Sequence, residues 1–458
     1  MSAPSNFNFP VSLLDSIKTV CTIDGDALSH SHDTEQPVSI RLNPFKPTGV
    51  FNHLKTVPWC DKSYYLPERI SFIKDPLFHA GCYYVQEASS MFLETALKQT
   101  VDFRRDLTVL DLCASPGGKS TLINSLLSEN SLLVSNEVIK TRVGALAENL
   151  SKWGRANVMV ANSDPKNFGS LNGYFDVIVV DAPCSGSGLF RKQADAIEHW
   201  SEENVIHCSQ RQQRILEDIL PALKPGGLLI YSTCSYSTEE NEQIGDYLLE
   251  KEFESIQLNP EKQWGIIETQ STNKAWGYRF FPHLVNGEGF FISAFRKKEG
   301  DEEIEYYRSK KNPVDKPNKE ELSILSNFVE ENQLQHIIKQ KEFFFLINAK
   351  IEADLKLLGE HLGIRKKGTL LGEIKGKDFI PHHELALSVH LKKDVSTIDV
   401  EEETALKFLK KSDIKCPDNK PRGFCVVKFN NHPVGWIKNL GNRSNNYLPK
   451  EWRILTEL

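Results

Sequence analysis

No run in this sequence approaches the roughly 18 consecutive apolar residues of a membrane-spanning helix. No two cysteines have CxxC or another zinc-ligand spacing, and no segment repeats at solenoid periods. A membrane-spanning helix, a structural metal site and a repeat array are thereby excluded. Positive charge is also scarce: 55 Lys and Arg face 61 Asp and Glu, a formal net charge of −6. No global field draws in a polyanion, so any bound nucleic acid must meet a local basic surface. Met1 to Val20 carries scattered Pro, Asn and Asp residues where a secretory leader has a charged start and an apolar stretch, which reads as cytoplasmic. Nine cysteines is an odd count and argues against a disulfide framework, so free thiols become candidates for chemistry.

The chain has 458 residues, 40% of them hydrophobic and 25% charged, ordinary globular usage in a length that predicts about three domains. Between residues 101 and 298, apolar runs alternate with helical patterns, as in a doubly wound, mostly parallel α/β sheet of the Rossmann type. Strands are expected over 107–113, 132–138, 157–161, 175–181 and 227–233, with helices over 119–127, 141–153 and 202–223. A further strand at 289–295 is expected near the sheet edge. Residues 1–100 contain short strands at 38–42 and 63–66 and a helix over 86–97. A charged, Pro-containing linker is predicted over 299–318. An α+β unit over 319–391 and a small β-rich unit over 392–458 follow.

The strand Val109-Leu110-Asp111-Leu112-Cys113 runs into Ala114-Ser115-Pro116-Gly117-Gly118-Lys119, a glycine turn where open α/β sheets bind cofactors. A P-loop needs Gly at the position of Cys113, and a dinucleotide fingerprint needs three spaced glycines. S-adenosylmethionine carries no phosphate and suits a loop of small residues followed by acceptors at the next strand ends. Glu137 is placed to accept from ribose hydroxyls, Asp164 from the adenine amine, and Asp181 near the amino-acid moiety.

Two further strand ends carry thiols, Asp181-Ala182-Pro183-Cys184-Ser185-Gly186 and Thr233-Cys234-Ser235. In the usual order of this sheet the two strands are neighbours, so both thiols face one substrate beside the cofactor loop. A thiol beside a methyl donor fits pyrimidine C5 methylation: a thiolate adding at carbon 6 makes carbon 5 nucleophilic, and a base then removes the carbon 5 proton. The thiolate needs cationic or hydrogen-bonding neighbours, for which Lys119 is a candidate. Asp181 is a candidate for orienting the base. This chemistry leaves the roles of the two cysteines open. Cys21, Cys60, Cys82, Cys208, Cys416 and Cys425 read as buried small hydrophobes.

These motifs resemble the RNA cytosine-5 methyltransferases of the type that modifies bacterial small-subunit ribosomal RNA. The cofactor loop 113–119, the DAPCSG run and the TCS run all match that family's pattern. The resemblance implies that Cys234 is the nucleophile and that Cys184 helps release the methylated base. It also implies S-adenosylmethionine as cofactor, ribosomal RNA or the small subunit as partner, an amino-terminal RNA-side segment that includes Arg41, and a PUA-like tail. Nothing in the sequence demands a dimer.

The tail holds the local basic surface that the net charge conceals. From Lys420 to Arg453, Lys420, Arg422, Lys428, Lys438, Arg443, Lys450 and Arg453 are opposed only by Glu451. Lys438, Arg443, Lys450 and Arg453 are the candidates for phosphate contact. Trp436, Tyr447 and Trp452 interleave with them, although Trp436 and Trp452 also suit the core of a small barrel.

Overall fold

The structure is a computed structural model that describes residues 7–192, 196–198, 200–300, 314–376, 378–417 and 419–455. Most of the predicted linker, residues 301–313, lies outside the described residues. The amino-terminal segment forms a three-stranded antiparallel sheet of β1 (Val38–Leu42), β2 (Ser63–Leu66) and β3 (Tyr83–Val85), in the order β2-β1-β3. The expected helix over 86–97 appears instead as a 3-10 turn at Ser89–Phe92 leading into the helix Leu93–Thr100.

Continuous apolar runs then form the parallel strands β4 (Thr108–Asp111), β5 (Leu132–Asn136), β6 (Val158–Ala161), β7 (Phe175–Asp181) and β8 (Leu223–Thr233). Antiparallel strands β9 (Phe253–Ile256), β10 (Ile267–Gln270), β11 (Trp276–Phe280) and β12 (Phe290–Lys297) extend the sheet. Successive side chains alternate between its faces: Val109, Val177 and Ile230 pack into one core, and Leu110, Ile178 and Leu229 into the other. Two expectations shift. The strand at 289–295 lies inside the sheet, between β8 and β11, because β10 and β11 add a further antiparallel pair beyond it. The Lys224-Pro225-Gly226-Gly227 stop falls within β8, where the register with β7 shifts between Phe175 and Val177.

The middle unit builds an antiparallel sheet from β13 (Ile337–Gln340), β14 (Phe343–Leu346), β16 (Thr369–Lys375) and β17 (Asp378–Pro381). Its remaining strand, β15 (Ile364–Lys367), leaves that sheet and pairs antiparallel with β6, aligning Ile364 with Ala161 and Lys367 with Met159. The large sheet thus has ten strands among the described residues, in the order β10-β11-β12-β8-β7-β4-β5-β6-β15 with β9 beside β12. The last unit pairs β18 (Thr397–Asp399), β19 (Gly423–Phe429), β20 (His432–Asn439) and β21 (Ser444–Asn446) in that order.

The terminal carbonyls of the helix Val143–Trp153 join these units. Lys46 Nζ donates to the Lys152 carbonyl at 2.5 Å and Asn43 Nδ2 to the Trp153 carbonyl at 3.0 Å, both from the amino-terminal segment. Ser388 Oγ and the Val389 N–H, from the middle unit, donate to the Gly154 carbonyl. Gly154 is the left-handed cap, and a Cβ there would lie 2.5 Å from the Leu387 carbonyl oxygen. The orphan carbonyls of one helix end are therefore satisfied by two other parts of the chain.

Candidate active site

The predicted loop leaves β4 at the carboxyl edge of the sheet. Gly117 takes φ +117° at the start of the helix Gly118–Leu126, and a Cβ on Gly118 would lie 3.2 Å from the Tyr84 ring and 3.5 Å from Gln86. The first glycine supplies a backbone conformation and the second makes room for the amino-terminal segment. The loop is fastened by the Ala114 N–H to the Asn136 carbonyl at 2.8 Å, by Arg142 Nη2 to the Ser115 carbonyl at 2.7 Å and by Asn149 Nδ2 to the Pro116 carbonyl at 2.8 Å. The Cys113 thiol is held protonated, pushed up by burial with added repulsion from Asp181, Asp111 and Glu137.

Acidic groups surround this loop. Glu137 follows β5 directly and is buried, accepting from the Ile139 N–H at 2.8 Å with Arg142 3.5 Å away. Asp164 stands three residues beyond β6, exposed, with one oxygen capping the Pro165–Gly169 helix through the Lys166 N–H. Asp181 ends β7, accepts from Ser232 Oγ at 2.8 Å and pairs with Lys119 Nζ at 2.7 Å. Lys119 is thus no solvated first-turn lysine. Burial works against its charge, but Asp181 and then Asp111 outweigh that and raise its pKa, and Cys234 lies within reach of its field.

Asp111, which sequence reading passed over, is fully buried. Burial lifts its carboxyl to about 7, against the opposing hydrogen bond from Ser120 Oγ at 2.6 Å and the charge of Lys119. Its Oδ1 has no hydrogen-bond partner among the described residues. A loop of small residues ringed by acceptor carboxylates, one with an unsatisfied oxygen, suits a ligand bearing amine and hydroxyl donors and a positive charge. It repels a polyphosphate. S-adenosylmethionine fits this donor set, and residues 113–119, Glu137 and Asp181 are the ones that would hold it.

The two predicted thiols meet. Cys184 Sγ and Cys234 Sγ are 3.2 Å apart, on loops that follow the adjacent parallel strands β7 and β8. The Gly188 N–H donates to the Cys234 carbonyl at 2.8 Å and the Gly289 N–H to the Gly188 carbonyl at 3.1 Å. A Cβ on Gly188 would sit 2.6 Å from the Gly289 oxygen and 2.7 Å from the Cys234 oxygen, so only glycine permits this approach. The hydrogen bond with Cys234, together with burial, pushes the Cys184 thiol up, so Cys184 keeps its proton beside the other sulfur. Of the other cysteines, Cys60, Cys82, Cys208, Cys416 and Cys425 are buried and Cys21 half-buried.

Two buried ion pairs lie on segments that join the thiol loops. Arg191 donates to Glu288 at 2.9 Å, and Arg279 to Glu242 at 2.5 Å while also reaching the Tyr236 carbonyl. Neither pair was foreseen, nor were the roles of Glu240, which reaches both thiol loops, and Asn241, which holds the Cys234 loop. The available signal was the polar run Glu239-Glu240-Asn241-Glu242 just after the thiol strand.

Arg41 is a correction. It is 2% exposed, donates to Gln86 Oε1 at 3.1 Å, to the Gly118 carbonyl at 3.2 Å and to Thr121 Oγ1 at 2.6 Å, and lies over the Trp153 ring. Burial pulls its pKa down to about 10. It fastens β1 to the helix after the cofactor loop and is closed to RNA. In the tail, Arg443, Lys450 and Arg453 are exposed, whereas Lys438 is half-buried, 3.5 Å from Asp378 and over the Phe424 ring. Trp436 is core, its indole donating to the His382 carbonyl at 3.0 Å. Trp452 is half-buried, edge-on to His383.

Three family models match the chain: 16S rRNA methyltransferase RsmB/F over residues 98–296, the N-terminal domain of 16S rRNA methyltransferase RsmF over 9–88, and the methyltransferase RsmF PUA domain over 395–454. The ribosomal RNA small subunit methyltransferase F of Vibrio atlanticus is 30% identical over 477 residues, covering 98% of each chain. Among solved structures, a methyltransferase homolog protein from Pyrococcus horikoshii superposes with a TM-score of 0.54 at 30% identity, over 63% of this chain and 95% of its own. NSun6 from Pyrococcus horikoshii, solved with the S-adenosylmethionine analogue SFG, shares the fold with a TM-score of 0.52 at 18% identity, over 64% of this chain and 99% of its own. Similarity to a curated relative over 98% of each chain and three matching models in order lead to one conclusion: the chain belongs to the ribosomal RNA small subunit methyltransferase F family of S-adenosylmethionine-dependent methyltransferases.

Proposed function

We propose that this protein methylates carbon 5 of a cytosine in ribosomal RNA, with Cys234 as the nucleophile and Cys184 in product release. The observation that carries this reading is the 3.2 Å approach of two free thiols beside the Lys119–Asp181 pair. Bound S-adenosylmethionine supplies the electrophilic methyl group. Cys234 adds to carbon 6, bonding sulfur to the ring and driving electron density onto carbon 5. The Lys119 cation favours the anionic sulfur electrostatically. Cys184, a thiol at rest, releases its proton to solvent once the adduct has formed; its thiolate then takes the carbon 5 proton, the C5–H pair re-forms the C5–C6 double bond and the S–C6 pair returns to Cys234. Asp181 orients the base by accepting from its edge as well as fixing Lys119, a role that Asp181→Asn tests by impairing chemistry more than cofactor binding.

The cytosine must leave its stack to admit sulfur above the ring plane. The choice of site then rests with the amino-terminal segment and the basic tail, through Lys438, Arg443, Lys450 and Arg453. We assign the protein to the cytoplasm as a monomer; among the described residues no helix is long and apolar enough to cross a membrane. The test uses denaturing gels of enzyme with rRNA and cofactor. Cys184→Ala is expected to accumulate a covalent protein–RNA species and Cys234→Ala to give neither that species nor 5-methylcytosine. The reverse pattern exchanges the roles, and loss of neither product nor adduct in Cys234→Ala overturns the mechanism. Bisulfite sequencing of total RNA from a deletion strain separates rRNA from tRNA as the substrate.

A further inference from the structure

We propose that Glu240 is the positioning residue that sets the gap between the two thiols, acting mainly from the Cys184 side. Its side chain is fully buried and gathers four donors. Oε1 accepts from the Ser185 N–H at 2.8 Å and from Gln212 Nε2 at 3.1 Å, and Oε2 accepts from Ser185 Oγ and Ser235 Oγ, each at 2.5 Å. Ser185 directly follows Cys184 and Ser235 directly follows Cys234. One carboxylate therefore ties both thiol loops, although the chain between Ser185 and Glu240 spans 55 residues. Gln212 extends the tie, since its Nε2 also donates to the Pro183 carbonyl on the other side of Cys184. Glu240 itself is held by the Tyr231 hydroxyl on its backbone carbonyl at 2.7 Å.

The hold on the two loops is unequal. Around Cys184, the Glu240 carboxylate makes both bonds to Ser185 and is bridged to Pro183 by Gln212. Around Cys234, Asn241 adds its own grip, accepting from Thr233 Oγ1 at 2.6 Å and donating to the Ser235 carbonyl at 2.8 Å. Loss of the carboxylate thus frees Cys184 more than Cys234. A carboxylate suits this place because all four partners donate to it; an amide keeps an acceptor for the Ser185 N–H and Gln212 but forces the Ser185 and Ser235 hydroxyls to turn and accept from its NH2, and it removes the charge that strengthens these bonds. A misplacement of about 1 Å in a catalytic pair costs on the order of 10²-fold in rate.

The assignment of attack and release follows the reading above, but the spacing has a readout that does not depend on it. Diamide takes two protons and two electrons from a close pair of thiols, forming one S–S bond and its own hydrazine. In the wild-type protein the Cys184–Cys234 disulfide, followed by peptide mapping, is expected to form ahead of any other pair, and about 10-fold more slowly in Glu240→Gln. With rRNA, Glu240→Gln is expected to lose on the order of 10²-fold in kcat with the cofactor KM unchanged, and to accumulate adduct as Cys184→Ala does. Ser185→Ala, which removes one tie and keeps the carboxylate, should show the same direction more weakly. Wild-type disulfide rates and adduct turnover in both variants overturn the proposal. A Cys184→Ala protein that accumulates no adduct overturns the assigned roles instead, and leaves the disulfide rate to decide the place of Glu240.

Discussion

The carboxyl edge of the catalytic sheet and the basic tail handle polar groups in opposite ways. At the sheet edge, charges are bonded and largely buried: Arg279 to Glu242, Arg191 to Glu288 and Glu240 to four donors lie inside, and Lys119 is bonded to a partly exposed Asp181. In the tail, Arg443, Lys450 and Arg453 stand in solvent. The difference teaches that a buried polar group fixes position, because leaving it unpaired costs several kcal/mol, whereas an exposed cation only attracts. One region specifies the reacting geometry and the other adds diffuse affinity for a polyanion.

The contrast can be broken at graded strengths. Cys234→Ala, at the fixed edge, should lower methyl transfer by 10⁴-fold or more, on the order of that for removing a covalent nucleophile, read by tritium incorporation into rRNA. Glu242→Ala leaves the Arg279 guanidinium buried without its carboxylate and should destabilise the fold by about 3–5 kcal/mol in urea melts. The Asp111 carboxyl titrates at about 7 in the fold, above the roughly 3.9 of an unfolded chain. Because the folded state binds this proton more tightly, its contribution to stability is whole below about pH 4 and is lost as the pH rises through 7. Asp111→Asn should abolish that decline, by about 2 kcal/mol between pH 5 and 8, in denaturant midpoints taken across pH.

Arg41→Ala sharpens the comparison, since it removes a cation that sequence alone places on the RNA side. It should cost about 2 kcal/mol in stability by orphaning its acceptors, while the salt dependence of RNA binding stays as in the wild type. A reduced salt slope would return Arg41 to the RNA surface. Single alanines at Arg443, Lys450 or Arg453 should weaken RNA binding by less than about 1 kcal/mol each and lower the salt slope by about 0.7 per charge, with kcat intact.

The sequence made legible whatever is local. The buried strands are continuous apolar runs, and β7 spans the residues expected of it. The cofactor loop and both thiols sit at strand ends that chain order alone identifies. What escaped depends on partners distant in sequence. Arg41 reads as a surface cation until Gln86 and Thr121, 45 and 80 residues away, enclose it. Glu240 carries no signal of its own in the run 239–242, and its role emerges only when Ser185, 55 residues away, reaches it. Trp436, by contrast, is the core residue that a small barrel predicts, with its indole donating to the His382 carbonyl. Periodicity assigned residues 364–367 to a separate unit because nothing in a four-residue strand names the sheet it joins.

That short strand also bears on synthesis. The flank of β6 presents bare N–H and C=O groups until β15, some 200 residues downstream, arrives to pair with it. At roughly 5–20 residues per second, translation leaves this flank open for about 10–40 seconds. A fragment halted after Lys297 would keep a sticky border able to recruit strands from other chains, so in this protein that side of the sheet is capped only once the middle of the chain has left the ribosome.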